Sequence, residues 1–448
     1  MTKEKIHFVG IGGIGISALA QYYLKNRAEV SGSDLMSSET TEMLKKAGAK
    51  IFIGEHKAKN VPKDVDLVIY SPAVEKSNPE LKRAYSLQLT AYNLQIKSYP
   101  EALGDLTKKY FTIAVAGTHG KSTTTAMIGL LLSKAGLDPT VIVGTKLREF
   151  GNSNCRVGKS KYLVIEADEW QASFLNYRPK VIVLTNIEEE HLDYYEDLRH
   201  ILKTYKEYIK HLPEEGILIA NKDDKNICHV TRNIKQVTFY SLEQKEAKTL
   251  KKILRVPGVH NIYNALSTLT VARVLKIPDK ISLKAVSEYK GVWRRFEIKE
   301  GKIANKKVTI VSDYGHHPTE IKATLKAARE KFSKKKIWCV FQPHQYQRTF
   351  YLFDDFVKAF SQVPVDKLII TDIYDVAGRE KKEIKRKVSS EKLIKKINKP
   401  WATYLLKEEI TNYLKKNVQG GEVLIIMGAG DIYKLVDEFS TSQLDTIT

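Results

Sequence analysis

Cysteine is scarce. Cys155, Cys228 and Cys339 are the only three in 448 residues. The number is odd and none sits in a CxxC pair, which argues against a disulfide framework and against a zinc site. The N-terminal stretch MTKEKIHFVGIGGIG has no apolar h-region and no cleavage site, so the expected location is a reduced cytoplasm, without secretion. Long apolar runs are also missing. None approaches the roughly 20 residues that span a bilayer, and no membrane insertion is expected. Low-complexity tracts and internal repeats are absent too. Acidic residues are in short supply: 52 Asp and Glu face 73 Lys and Arg, a net charge of +21. A surplus of that size would suit a nucleic-acid binder, but it is mostly lysine and is spread along the chain. Its densest stretch, EKKEIKRKVSSEKLIKKINK at 380–399, mixes acids and apolar residues at near-helical spacing. It reads as one solvated amphipathic helix. No nucleic-acid partner is expected, whereas polyanionic small substrates would profit from the positive field.

What is present is ordinary globular composition, 43% hydrophobic and 28% charged. The length suits two to four domains. Strand, turn and helix patterns repeat along the chain, which points to an α/β fold with parallel sheets. Two glycine loops each open such a unit. A first boundary is placed near 98–108, where SYPEALGDLTKK precedes a new strand. A second follows HNIYNALSTLTVARVL, near 287–291. The expected domains are therefore 1–105, 106–290 and 291–448. The third starts with VTIVSDYG and ends with EVLIIMGAGDI, and the last ten residues, FSTSQLDTIT, read as a frayed tail.

The first loop follows the strand IHFV. Gly10-Ile11-Gly12-Gly13-Ile14-Gly15 leads into the helical stretch ISALAQYYLKN, and the next strand, AEVSGSD, ends in Asp34. This is the dinucleotide-fold fingerprint in its expected setting. Glycines let backbone approach a pyrophosphate, and the helix start attracts its charge. The loop does not distinguish NAD from a UDP-sugar. Gly12, Gly13, Ile14, Gly15 and Asp34 are candidate contacts, and Ser71, after the strand in LVIYSPAV, faces the same crevice.

The second loop follows the strand FTIAVA. Gly117-Thr118-His119-Gly120-Lys121-Ser122-Thr123 runs into the helix TAMIGLLLSKAG. Val115 stands where the P-loop pattern wants its first glycine, but the GKS ending is intact. Backbone N–H groups cradle phosphates, Lys121 balances the β/γ charge and Ser122 offers a hydroxyl to Mg²⁺. Two later strands, KYLVIEADE and VIVLTNIEEEHLD, end in Glu166, Asp168 and Glu169, and in Asn186, His191 and Asp193. The carboxyl ends of strands lie on the ligand side of a parallel sheet, so these are candidate metal ligands. A dehydrogenase using GIGGIG for NAD leaves this loop and the metal constellation unexplained; a basic nucleic-acid-binding ATPase would use the loop but predicts ATP turnover stimulated by DNA or RNA.

GTHGKST, the EADE strand end, TNIEEEHLDYY, PGVHNIYNA, GVWRRFE, DYGHHPTE and FQPHQYQRT occur in this order. Together they resemble the Mur ligases, over nearly the whole chain. The resemblance implies three α/β domains: a Rossmann-like N-terminal domain for a UDP-sugar, a P-loop ATPase-like central parallel sheet, and a Rossmann-like C-terminal domain. It implies an ATP-dependent amide-forming ligase of peptidoglycan precursor synthesis. The lactyl carboxylate of UDP-N-acetylmuramate is phosphorylated, and the amine of L-alanine attacks the acyl phosphate. A recycling ligase that adds a whole tripeptide to the same UDP-sugar is the alternative within the family.

Carried over by motif, Gly117 to Thr123 hold the ATP phosphates, with Lys121 on the transferred group. Ser122 and Glu166 ligate one Mg²⁺ and His191 a second metal. Asn261 and Asn264 match adenine-side asparagines. Arg295 matches an arginine at the phosphate site, with Arg294 beside it. Asp313 matches an aspartate that reaches ATP when domains close. His316 or His317, together with His344 and Arg348, are candidates for the amino-acid and acyl-phosphate end. The oligomeric state is expected to be monomer or dimer. Several positions depart from the family pattern: Ser122 for threonine, Ser312 for an aspartate before Asp313, Trp170 in EADEWQ, and a short segment between NKDDKN and PGVHN. Lys203 and Lys206 carry no assignment as a carbamylated lysine.

Overall fold

Runs of Val, Ile, Leu and Ala bounded by glycine loops give buried strands, and in this computed structural model they assemble into three sheets. Residues 3–90, 93–192, 194–376 and 382–441 are described. The first sheet contains β1 (Lys5–Val9), β2 (Glu29–Asp34), β3 (Lys50–Ile53), β4 (Leu67–Tyr70) and β5 (Gln95–Ser98), in the order β3-β2-β1-β4-β5. All its pairings are parallel. The order reverses direction beside β1, the place where ligands bind in such sheets.

The second sheet contains β6 (Phe111–Ala116), β7 (Thr140–Leu147), β8 (Ser153–Arg156), β9 (Tyr162–Ala167), β10 (Val181–Leu184), β11 (Ile217–Asn221) and β12 (Val237–Tyr240), in the order β12-β11-β10-β6-β9-β7-β8. Only the edge strand β8 runs antiparallel. β6 lies mid-sheet between β9 and β10, so the loop that follows it is flanked by the ends of both neighbours.

The third sheet contains β13 (Glu297–Ile303), β14 (Lys306–Asp313), β15 (Ile337–Phe341), β16 (Lys367–Ile370), β17 (Ala402–Tyr404) and β18 (Val423–Met427), in the order β13-β14-β18-β15-β16-β17. Its strands alternate between two cores. Val311, Cys339, Phe341 and Ile425 point into one, and Ile310, Val340, Leu424 and Ile426 into the other. Both faces are covered, as parallel sheets require. The fold is thus α/β with three parallel-sheet domains.

By compactness the chain forms two units. One comprises 1–187, 202–241 and 265–286 and holds the first two sheets. The other comprises 188–201, 242–264 and 287–448 and holds the third. No helix among the described residues is long and apolar enough to cross a membrane.

Two local expectations change, and the boundary segment gains a defined form. The boundary segment SYPEALGDLTKK is a helix, Tyr99–Lys109, closed at its start by Ser98 N–H donating to Glu101 at 2.7 Å. The charge run at 380–399 is two short helices, Lys382–Lys385 and Ser390–Ile397. Ser389 breaks the run because its hydroxyl caps the second helix, accepting from Lys392 N–H at 3.3 Å, and Val388 is buried. Glu380 and Lys381 lie outside the described residues. The tail is anchored at its start. Phe439 is buried and Thr441 N–H donates to Glu300 carbonyl at 3.1 Å. Residues 442–448 lie outside the described residues.

Candidate active site

The first loop is shaped by its neighbours. Gly10 adopts φ +79° and closes against the end of β4, where an added Cβ would meet Ser71 Cβ at 3.2 Å. Gly12 N–H donates to the Asp34 carboxylate at 2.8 Å. Gly13 caps the helix Ile14–Lys25 without a side chain, leaving that helix start to its backbone N–H groups. Gly15 faces the Tyr99 ring, which a Cβ would approach to 2.9 Å. Gly12, Gly13, Ile14, Gly15, Asp34 and Ser71 therefore gather at the carboxyl ends of β1, β2 and β4. Asp34 serves here as the brace of the loop.

The second loop begins two residues later than the P-loop pattern asks. Val115 and Ala116 are still inside β6 and buried, so the turn starts at Gly117. Gly117 has φ +138° and sits so close to Thr185 Oγ1 that a Cβ would lie 2.0 Å from it. Gly120, at φ +83°, caps the helix Lys121–Lys134. Only glycine accepts both conformations without strain. Asn186, at the end of β10, staples the turn. Its carbonyl accepts from Thr118 N–H at 3.0 Å, its side-chain oxygen from His119 N–H at 2.8 Å, and its amide donates to His119 carbonyl at 3.0 Å.

Lys121 Nζ donates to Gly117 carbonyl at 2.6 Å and to Glu169 at 2.9 Å. Burial alone would lower its pKa, but the charges of Glu169 and Asp168 overcome this and raise it. The lysine is therefore charged throughout the physiological range. Glu169 is a partner that the motif did not reveal. Glu166 is the acid nearer the sheet edge. Its Oε1 accepts from Gly144 N–H at 2.6 Å, and a Cβ on Gly144 would lie 3.1 Å from Oε2. The acid cluster is followed by strain, since Gln171 and Ala172 both take left-handed backbone at φ +49° and +53°. Trp170 starts that turn, its N–H donating to Asp168 at 3.2 Å. Ser122 is buried at the first turn of the same helix as Lys121.

The remaining candidates belong to the second compact unit. His191 is held at φ +56°, an uncommon conformation for a non-glycine residue. Asp193 lies outside the described residues. Asn261 and Asn264 share one face of the helix Val259–Val274. The Asn264 amide donates to Asn261 Oδ1 at 3.3 Å, and the Asn261 amide to Pro257 carbonyl at 2.7 Å.

The two arginines of RRFE divide their work. Arg294 is 4% exposed and its guanidinium lies against Trp293, Tyr314 and Tyr433, 4.5 Å from the last ring's centroid. It donates to the carbonyls of Gly428 and Gly430. Burial pushes its pKa down to about 10, so it stays charged and holds the turn. Arg295 stacks on Tyr314 at 4.7 Å and reaches 4.0 Å from Glu320, with its side chain 28% exposed. Arg295 is the more exposed of the two.

Asp313 ends β14 and is spent on local bonds. Its Oδ2 accepts from Phe296 N–H and its Oδ1 from Gly315 N–H, both at 2.8 Å. Burial raises its pKa, partly offset by Arg295 and these amides. Ser312 is buried beside it, a place where an aspartate would need a partner.

His316 is buried. Its Nδ1 lies 3.2 Å from Tyr314 carbonyl, and burial brings its pKa to about 4 despite Glu320. It is neutral at pH 7. His317 caps the helix Pro318–Lys331, its Nδ1 accepting from Thr319 N–H at 3.3 Å. His344 stacks on Tyr374 at 5.6 Å and receives Arg348 Nη1 on its carbonyl and on Nδ1, each at 3.1 Å. Arg348 Nε donates to Glu190 at 2.9 Å. Glu190 was not singled out by sequence, because one run, Glu188-Glu189-Glu190, offers three equivalent acids.

Two glycine loops on parallel sheets, one with an acid-flanked P-loop lysine, define a multidomain nucleotide-handling α/β enzyme. Comparison makes this particular. The Mur ligase family catalytic domain matches residues 5–111, the Mur ligase middle domain 115–272, and the Mur ligase glutamate ligase domain 294–430. The chain belongs to the Mur ligase family. It is 42% identical to the UDP-N-acetylmuramate–L-alanine ligase of Acetivibrio thermocellus, covering 97% of this chain and 95% of that protein. It superposes on UDP-N-acetylmuramate-alanine ligase from Thermotoga maritima with a TM-score of 0.77 at 29% identity, over 97% of each chain. A murein peptide ligase from Psychrobacter arcticus, 21% identical over 97% of this chain and 98% of that one, shares the fold at a TM-score of 0.71.

Proposed function

We propose that this chain joins L-alanine to the lactyl carboxylate of UDP-N-acetylmuramate with ATP, through an acyl phosphate, in peptidoglycan precursor synthesis. The observation that carries the reading is the 42% identity, sustained over nearly the full chain, to an alanine-adding ligase. The likeness to the murein peptide ligase, at 21%, supports the fold alone.

The residues fit this chemistry. A carboxylate is a poor electrophile, and phosphorylation gives it a leaving group. The enzyme must bring a carboxylate oxygen to the γ-phosphorus while both carry negative charge. Positioning and fixed positive charge therefore dominate catalysis. The loop Gly117 to Thr123 presents N–H groups and the Lys121 ammonium to the ATP phosphates. Arg295 is a further fork for phosphate oxygens, and Asp313, which braces the turn beside it, is assigned to ATP as well. Asn261 and Asn264 are assigned to the adenine side. The loop Gly12 to Gly15, with Asp34 and Ser71, is assigned to the UDP pyrophosphate. His344 and Arg348 are assigned to the amino acid and the acyl phosphate. After attack by the amine nitrogen, the tetrahedral intermediate expels phosphate and leaves the amide.

Ser122 and Glu166 offer a hydroxyl and a carboxylate, the hard oxygens Mg²⁺ prefers, and the bare Gly144 leaves room beside that carboxylate. These two would hold one Mg²⁺ and His191 a second metal. The ions would neutralise phosphate charge. We place the enzyme in the cytoplasm as a monomer or dimer, with domains 1–105, 106–290 and 291–448 and no nucleic-acid partner.

The test is phosphate release from ATP and Mg²⁺ with UDP-N-acetylmuramate, adding L-alanine or the tripeptide separately. Release with L-alanine is expected. Release with the tripeptide alone would move the chain to recycling.

A further inference from the structure

Arg348 is held from two sides inside the second compact unit. Its side chain is 7% exposed, and that of its partner Glu190 is 8%. Nε donates to Glu190 Oε1 at 2.9 Å. Nη1 donates to the carbonyl of His344 at 3.1 Å and lies 3.1 Å from its Nδ1. Those contacts use Nε and Nη1, which lie on different edges of the guanidinium, and leave the N–H groups of Nη2. The group borders a cleft lined also by Glu189, His191, Gln345 and Tyr351. Arg348 and Glu190 lie far apart in sequence, so the ion pair fixes the arginine against a second backbone segment. A buried guanidinium without a counter-charge is costly and would rearrange. A guanidinium free to choose among rotamers would lose side-chain entropy on binding.

We infer that Glu190 is a positioning residue: it holds Arg348 by Nε so that Nη2 is aimed at the carboxylate of the incoming amino acid. The inference rests on the assignment of Arg348 to the amino-acid end. Glu190 itself touches no reacting atom. Its neighbour His191 gives the competing role, in which Glu190 only shapes the backbone of a metal ligand, since its Oε1 lies 3.3 Å from His191 N–H.

The experiment is steady-state phosphate release by the full chain, comparing wild type, Glu190→Gln, Glu190→Asp and Arg348→Lys, with the KM of each substrate measured separately. Glu190→Gln keeps the shape and removes the charge. It is expected to raise the KM for L-alanine about tenfold, with the KM values for ATP and UDP-N-acetylmuramate unchanged within about twofold and the Mg²⁺ dependence unmoved. Glu190→Asp keeps the charge and is expected to recover part of the loss; it also serves if the glutamine variant fails to fold. Arg348→Lys is expected to raise the same KM. An unchanged KM for L-alanine in a folded Glu190 variant would overturn the inference while leaving the reaction intact. So would a shifted Mg²⁺ requirement with an unchanged KM, which assigns Glu190 to His191. A wild type that releases no phosphate with L-alanine would remove the functional reading and this inference with it.

Discussion

Lys121 combines a mobile-looking side chain with a tightly defined charge. Glu169 and the Gly117 carbonyl hold it above the turn, and the acids keep its pKa raised. An ammonium fixed at a phosphate loop acts on charge that grows during transfer. Its removal therefore costs turnover more than ground-state binding. Lys121→Ala is expected to lower phosphate release at least a hundredfold, while calorimetry finds UDP-sugar binding within about twofold of wild type. Equal loss of both would contradict the assignment of the two glycine loops to two ligands. The lysine was legible because GKS between strand and helix has a single physical reading. Its partner was not. EADE offers three acids around a strand end, and only the turn that follows decides that Glu169 faces Lys121. Asp313 was legible only in part: the motif proposes it as an ATP ligand, and the structure adds the bonds by which it braces the turn beside Arg295.

Between elements, a buried polar junction ties the helix Pro79–Gln88 to β1 and β2. Glu80, near its start, is fully buried. It accepts from Ser33 Oγ at 2.6 Å and from the Asn60 amide at 2.7 Å, and it pairs with His7 Nε2 at 3.1 Å. Burial alone would raise its pKa, but the bonds from His7, Ser33 and Asn60 outweigh this and bring it to about 2. The sign follows directly. A carboxylate depressed in the folded state adds stability above the ordinary carboxylate pKa of 4.5, and this is lost as pH falls from there through about 2. Glu80→Gln is expected to cost about 2–3 kcal/mol near neutrality. Thermal melts of both proteins should keep a constant gap from pH 7 to pH 5, and the gap should narrow below pH 4.5. A gap that ignores pH down to 3 would show that the glutamate acts through shape alone. Nothing in the spacing of His7, Ser33, Asn60 and Glu80 announced this junction. Each sits on a different element, and only the order β3-β2-β1-β4-β5 brings them together.

At the scale of the whole chain, the three sheets were legible because strand runs and glycine loops repeat with α/β spacing. The charge was harder to read. The run at 380–399 is broken by a serine cap that periodicity treats as one more polar position, so one expected helix became two. The net +21 belongs to no single patch motif, and for a ligase whose proposed substrates include two polyanions it would supply a steering field. A positive field raises their local concentration, and salt removes it: the screening length falls from about 10 Å at 0.1 M to about 3 Å at 1 M. L-alanine, a zwitterion without net charge, gains nothing from that field. Between 0.1 and 0.5 M KCl the KM values for ATP and for UDP-N-acetylmuramate are therefore expected to rise about threefold, with that for L-alanine nearly constant. Added single-stranded DNA should leave phosphate release unstimulated. Three KM values rising together would instead mark a general loss of structure in salt. Flat values for both polyanions would mean that the lysine excess serves the surface alone, leaving capture of phosphate to Lys121, Arg295 and the two glycine loops.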